Sequence, residues 1–150
     1  MQLNHYLNFQ GQTETAFQFY QHAFGGEILF FSRYGDLPPQ DDVTLSDEDK
    51  QKVMHISLKI SDHVILMGSD MNDHFCSHHN FTFIMGTNHY ISVNLEKHEQ
   101  GKAYELFEKL SINGTIEMPL NKTFWGALYG SFTDQFGIRW MINCQLDEPL

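Results

Sequence analysis

The sequence predicts an α+β fold made of two successive βαβββ modules, and three observations predict it. First, Tyr129 to Cys144 reads as a β-hairpin. Two runs of aromatic and β-branched residues flank Asp134, which can bond its own backbone, and Gly137, which supplies positive φ. Second, from Leu3 to Ser69 the apolar periodicity runs strand, helix, then three strands. Third, the same order recurs from Asn88, where Asn88-His89-Tyr90 repeats Asn4-His5-Tyr6. Self-similarity at a fixed offset is the mark of a duplication. One such module leaves a sheet face uncovered by its helix. Two of them side by side, their sheets curving into one open barrel-like cup, bury that face.

Each element has a local reason. Leu3 to Gln10 is the first strand, with Leu7 and Phe9 on one face, and Gly11 breaks it. Thr13 is placed to cap the next helix, with Glu14 in a first turn where the helix dipole favours a carboxylate. Ala16, Phe17, Tyr20, Ala23 and Phe24 fall at helical spacing, and Gly25-Gly26 ends the helix. Glu27 to Tyr34 returns to strand composition. Gly35 to Lys52 holds Pro38-Pro39 and the acidic residues Asp41-Asp42 and Asp47-Glu48-Asp49. It reads as a long loop, and Pro38 to Lys52 as a mobile segment that partly closes the cavity. Val53 to Ile60 alternates, with Met54, Ile56, Leu58 and Ile60 against His55, Ser57 and Lys59. Ser61-Asp62 then turns the chain into Val64 to Met67.

In the second module Ile91, Val93 and Leu95 alternate. Ala103, Leu106, Phe107 and Leu110 form a helical stripe closed by Asn113-Gly114, and Thr115 to Met118 is a strand ahead of the hairpin. The expected organisation is a single domain, 1–150. Module 1 covers about residues 1–70, a connection spans 71–87, and module 2 covers about 88–146.

Composition excludes several classes. A net charge of −10 over 150 residues disfavours a nucleic-acid partner, because phosphate contacts need clustered Lys and Arg. No run approaches the roughly 20 apolar residues of a membrane span, and no basic-then-apolar leader opens the chain. Two cysteines, Cys76 and Cys144, are too few for a disulfide scaffold and suit a reducing compartment. The expectation is a cytoplasmic protein with neither a nucleic-acid nor a membrane partner.

Phe124-Trp125-Gly126, Tyr129-Gly130 and Thr133-Asp134-x-Phe136-Gly137-x-x-Trp140-Met141-Ile142 together resemble the C-terminal signature of PhnB-like proteins. These are a branch of the glyoxalase/bleomycin resistance/dioxygenase, or vicinal oxygen chelate, superfamily. Val53-Met54-His55 and Gly68-Ser69-Asp70 resemble further segments of the branch. The resemblance covers nearly the whole chain and implies the eight-stranded open cup. It also implies a divalent metal, with ligands from the first strand of each module (usually His) and the last strand of each (usually Glu). At those positions the first strand offers His5 or, if alternation decides, Tyr6. The fourth offers Leu66 or Met67. The fifth turns Tyr90, Ser92 and Asn94 inward and His89 away, and the eighth has Met141 where Glu is expected. Three or four converging N/O ligands are therefore missing, and neither metal nor other cofactor is expected.

What remains is an aromatic, polar cavity. Its candidate ligand-binding residues are Tyr6, His55, Asp70, Tyr90, Phe124, Trp125 and Tyr129, with Trp140 also able to line it. Each has a plainer reading: His55 as a hydrogen-bonded sheet histidine, Asp70 as a backbone-capping turn residue, the tryptophans as core. Asp73-His74-Phe75-Cys76-Ser77-His78-His79 has metal-ligand residue types without a recognised zinc spacing. The function expected is binding of a small organic ligand in the cup without the usual catalytic metal. The alternatives are a glyoxalase- or lyase-type metalloenzyme using His5 or His55, and sequestration of a toxin or antibiotic. A homodimer is expected, as in the superfamily. A methyltransferase is not, because no methyl-donor motif is present.

Overall fold

The computed structural model describes residues 1–39, 42–76 and 82–146. The chain forms two compact units, Met1–Ile84 and Met85–Leu150.

In the first unit the order is β1 (His5–Phe9), α1 (Thr13–Phe24), β2 (Glu27–Arg33), α2 (Asp47–Gln51), β3 (Val53–Ser61), β4 (Val64–Asp70) and α3 (Asp73–Cys76). The sheet order is β1-β4-β3-β2, with β1 parallel to β4 and the other pairs antiparallel. Ala16, Phe17, Tyr20 and Ala23 of α1 are buried, as are Leu7, Phe9, Ile56, Leu58 and Leu66 of the sheet. Burying such side chains contributes roughly 1.5–3 kcal/mol each and is what holds helix to sheet. Gly68 allows the approach, since a Cβ there would stand 2.6 Å from Phe17 Cε2.

Three local readings change. Thr13 is the first helical residue rather than the cap, and Gln12 holds the cap position without a side-chain bond. The orphan amides are met from β4 instead: Asp70 Oδ1 accepts from Gly11 N at 2.9 Å, Thr13 N at 3.1 Å and Thr13 Oγ1 at 2.6 Å. The expected long loop after β2 is partly ordered as a 3-10 turn, Tyr34–Asp36, and as α2. Ser46 Oγ caps α2 by accepting from Asp49 N, a local signal strong enough to start one helical turn. Residues 40–41 of that segment lie outside the described residues. The connection after β4 likewise contains α3, and Ser77, His78 and His79 of the histidine-bearing cluster lie outside the described residues.

The second unit repeats the plan: β5 (Ile91–Leu95), α4 (Gln100–Ser111), β6 (Thr115–Lys122), β7 (Ala127–Thr133) and β8 (Arg139–Gln145), in the order β5-β8-β7-β6. Ala103, Leu106 and Leu110 of α4 are buried, and Phe107 meets Phe132 edge-on at 5.1 Å. A Cβ at Gly130 would stand 2.7 Å from Phe107 Cε2, so a helix phenylalanine rides over a strand glycine in both units. The last hairpin closes as the sequence predicts. Asp134 Oδ1 accepts from Phe136 N and Ile138 N at 2.8 and 3.0 Å, and Gly137 has φ +87°. Pro119 falls where the β6–β7 register slips, on an edge strand, where a missing N–H costs no ladder bond.

Candidate functional site

Side chains of paired residues point to the same side of a sheet, so the register sorts each face. In the first unit Leu7, Phe9, Ile56, Leu58 and Leu66 go under α1. The alternate residues share the opposite face: Tyr6 and Asn8, Met67 and Ser69, His55 and Ser57, Phe30 and Ser32. Tyr6 is 44% exposed there. Its hydroxyl lies 3.0 Å from His55 Nδ1, and the two rings stack with centroids 5.6 Å apart and planes at 28°. Phe30 lies 5.7 Å from the His55 ring at 45°. Ser69 Oγ donates to Asn8 Oδ1 at 3.1 Å. The middle of this face is aromatic, amide and hydroxyl in character and carries no charged side chain. Lys59, toward the end of β3, is held by Asp62 at 2.8 Å.

Asp70 lies on the other side. It pairs in register with Phe9 and is 2% exposed. Besides the three bonds at the start of α1, its Oδ2 accepts from Val53 N at 2.8 Å. Four donors occupy the carboxylate, which ties β1, α1 and β3 to the end of β4. The structure thus brings Tyr6 and His55 together and separates Asp70 from them.

In the second unit Ser92, Met141, Asn94, Asn143, Tyr129 and Ser131 share the face away from α4. Tyr90, just before β5, is half-buried and held on both sides of its hydroxyl. Its hydroxyl donates to Glu117 Oε2 and accepts from Arg139 Nη2, while the guanidinium carbon stands 3.8 Å from the ring centroid. Arg139 also bonds Glu117 through Nε at 3.2 Å and Nη2 at 3.1 Å, and Nη1 donates to the Thr87 carbonyl. Thr133 Oγ1 donates to Glu117 Oε1 at 2.8 Å. Arg139 and Glu117 were not among the residues picked from sequence. The signal was present, because β8 alternates Arg139, Met141 and Asn143 against Trp140, Ile142 and Cys144.

The aromatic residues at the β6–β7 turn touch one another and stay largely exposed. Phe124 is 88% exposed and Trp125 43% exposed, in the turn between β6 and β7. Their rings meet edge-on at 4.9 Å, and Trp125 meets Tyr129 at 6.0 Å. Trp140 is core, and its indole N–H donates to Asp134 Oδ2 at 2.8 Å. A cavity of about 300 Å³ lies among Tyr34, Leu37, Val43, Lys50 and Phe75, and none of the expected ligand-binding residues lines it.

Comparison with known proteins then places the chain. A profile of the Glyoxalase/Bleomycin resistance protein/Dioxygenase superfamily matches residues 2–142. The chain belongs to that superfamily. It is 31% identical to protein YjdN of Escherichia coli K12 over 99% of each chain. Among solved structures, protein PA1353 from Pseudomonas aeruginosa is 33% identical with a TM-score of 0.79, covering 98% of this chain and 99% of that one. A PhnB protein from Bacillus cereus is 25% identical with a TM-score of 0.66, covering 96% and 99%. Within the superfamily the chain is therefore PhnB-like.

The superfamily's metal can be tested against the donors present. On the open faces, β1 offers Tyr6 and Asn8, β4 Met67 and Ser69, β5 Ser92 and Asn94, and β8 Met141 and Asn143. Thioethers, amides and hydroxyls do not match the imidazole and carboxylate set that a catalytic divalent cation takes. Among the described residues no three His, Cys, Asp or Glu side chains converge on one point. The residues do not fit that metal. No helix is long and apolar enough to cross a membrane among the described residues.

Proposed function

We propose that this PhnB-like protein binds a small organic ligand on the open face of its first sheet, by ring stacking and a few polar contacts, without a catalytic metal. One observation carries the reading: the duplicated tyrosines have opposite fates. Tyr90 is locked by Arg139 and Glu117, whereas its counterpart Tyr6 stands in solvent, stacked on a half-buried histidine and bonded to nothing else among the described residues. An exposed aromatic pair on a face whose middle carries no charge is what a ligand with a π surface and one or two polar atoms recognises. The Bacillus cereus relative carries the name of a 3-demethylubiquinone-9 3-methyltransferase. The β1–α1 turn does not support that activity in this chain: it lacks a Gly-rich run, and its Gly11 and Thr13 amides are spent on Asp70.

The test is a thermal-shift screen of aryl acids and aryl ketones against the parent and three variants. Stabilising compounds should lose their effect in Tyr6→Ala and His55→Ala and keep it in Tyr90→Phe. Hits that survive both of the first two variants, or no hit on the parent, overturn the proposal.

A further inference from the structure

We infer that Tyr6 and His55 form a metal-free proton relay that tautomerises a carbonyl compound bound beside them, moving a proton between an α-carbon and the carbonyl oxygen. The inference rests on ligand binding at this face. It is carried by the way the two side chains are joined. Tyr6 Oη and His55 Nδ1 are 3.0 Å apart, and the opposite ring nitrogen, Nε2, has no hydrogen-bond partner among the described residues. Neutral imidazole has one donor and one acceptor nitrogen, so the pair has two arrangements. In the first, Nδ1–H donates to the phenol oxygen, leaving Nε2 a free base and the phenol O–H a free donor. In the second, the phenol donates to Nδ1, leaving Nε2–H a donor and the phenol oxygen an acceptor. Going from the first to the second, Nε2 gains a proton, the Nδ1 proton passes to the phenol oxygen and the phenol gives its own proton away, so each arrangement presents one base and one acid to the same ligand.

The step balances without any co-reactant. Nε2 takes the proton from the α-carbon, and the C–H electron pair becomes the C=C bond of the enol. The carbonyl π pair moves to oxygen and takes the Tyr6 hydroxyl proton, and Tyr6 oxygen is refilled from Nδ1–H. Ketone has become enol, and the pair has passed from its first arrangement to its second. Running the same motion backward makes ketone from enol, and between turnovers the pair resets when solvent takes the Nε2 proton and gives one to the exposed phenol as Tyr6 passes its own to Nδ1. Phe30, 5.7 Å from the His55 ring, supplies an apolar ring beside the reacting atoms. That selects an aryl-bearing carbonyl over a purely aliphatic one.

Phenylpyruvate and benzoylacetone are the probes, in D₂O. The enol is followed by its ultraviolet absorbance and α-deuteration by proton NMR, and binding by saturation-transfer NMR in parallel. The parent should accelerate both tautomerisation and α-deuteration over buffer. Tyr6→Phe, which keeps the stacking ring, should still bind the probe and lose at least about 100-fold in rate, the usual scale of a positioned acid or base. His55→Gln should fall equally far, and the double variant no further, because the pair acts as one unit. Melting temperatures within a few degrees of the parent's would show that both variants are folded. If the parent binds either probe through Tyr6 yet exchanges no α-proton above buffer, the relay is wrong and the binding site stands. If Tyr6→Phe retains full rate, the relay is wrong too. If neither probe binds, the binding reading and the relay fall together.

Discussion

Asp70 and Tyr6 are both polar residues on strands of the first sheet, and the structure spends them in opposite ways. The Asp70 carboxylate accepts four hydrogen bonds from three segments while 2% exposed. Hydrogen bonds to a charged group are each worth roughly 1.5–3 kcal/mol, and a deprived buried donor costs about as much. Asp70→Ala should therefore cost about 3 kcal/mol or more, read by urea denaturation. Tyr6→Phe should shift stability by less than about 0.5 kcal/mol, as surface changes do. Equal effects of the two would contradict the division between scaffold and site. Trp125, in the second unit, is likewise not core. Trp140 is sealed in the core, so Trp125, of the two tryptophans, is the one open to solvent. Trp125→Ala should leave the fold intact, with a melting temperature within a few degrees of the parent's. A variant that unfolds would show that the ring packs as core.

Elements show where the sequence could be read and where it could not. The strands and both long helices were legible because their apolar periods are unbroken, and the last hairpin because Asp134 and Gly137 dictate a turn. The helix-on-glycine contact was not, since nothing local says that Phe17 will rest on Gly68, fifty-one positions away in sequence. Gly68→Ala tests that contact. The added Cβ would stand 2.6 Å from Phe17 Cε2 and 2.8 Å from the Leu7 carbonyl, and only the ring can yield, so a loss of about 1–3 kcal/mol is expected by denaturation. Helix α2 was hidden by its acidic residues, which read as loop although they suit a first turn. Lys52 Nζ donates to Asp49 at 2.7 Å and the Ser46 hydroxyl also donates, which holds the Asp49 carboxyl below its ordinary range. The unfolded segment then protonates first as pH falls. The contribution of Asp49 is complete above the ordinary carboxylate range and disappears as pH drops through the depressed value. Amide exchange in α2 should quicken only in that acid window, and Asp49→Asn should remove the pH dependence. Exchange that tracks the global melt at every pH would refute it. The Tyr90–Arg139–Glu117 lock was missed for another reason. It joins a loop, β6 and β8, and strand parity tells which face a side chain takes but not which strands will sit within reach.

At the scale of the whole molecule, duplication has kept the scaffold and released the sites. Both units share one strand order, one parallel pair and a phenylalanine over a glycine, yet one tyrosine is open and the other locked. Edge strands were not made safe to the same degree. β6 carries Pro119 and a register slip, which discourage a further strand from adding to its ladder. Even so, Ile116 and Met118 of β6, with Leu29 and Phe31 of β2, remain exposed. Apolar edges of this kind are covered most simply by a second copy through a two-fold contact, which pairs each patch with its own image. The expected outcome is a homodimer, with sedimentation velocity at micromolar concentration giving twice the 17.5 kDa chain mass. The charge of −10 on each copy opposes association, and salt screens that repulsion while leaving apolar burial in force. The dimer should therefore tighten as ionic strength rises. Replacing Leu29 and Ile116 with lysine should shift the chain toward monomer. A monomer mass for the parent across the whole salt range would rule the dimer out, and a dimer that weakens with salt would show that charge pairs rather than apolar edges hold it.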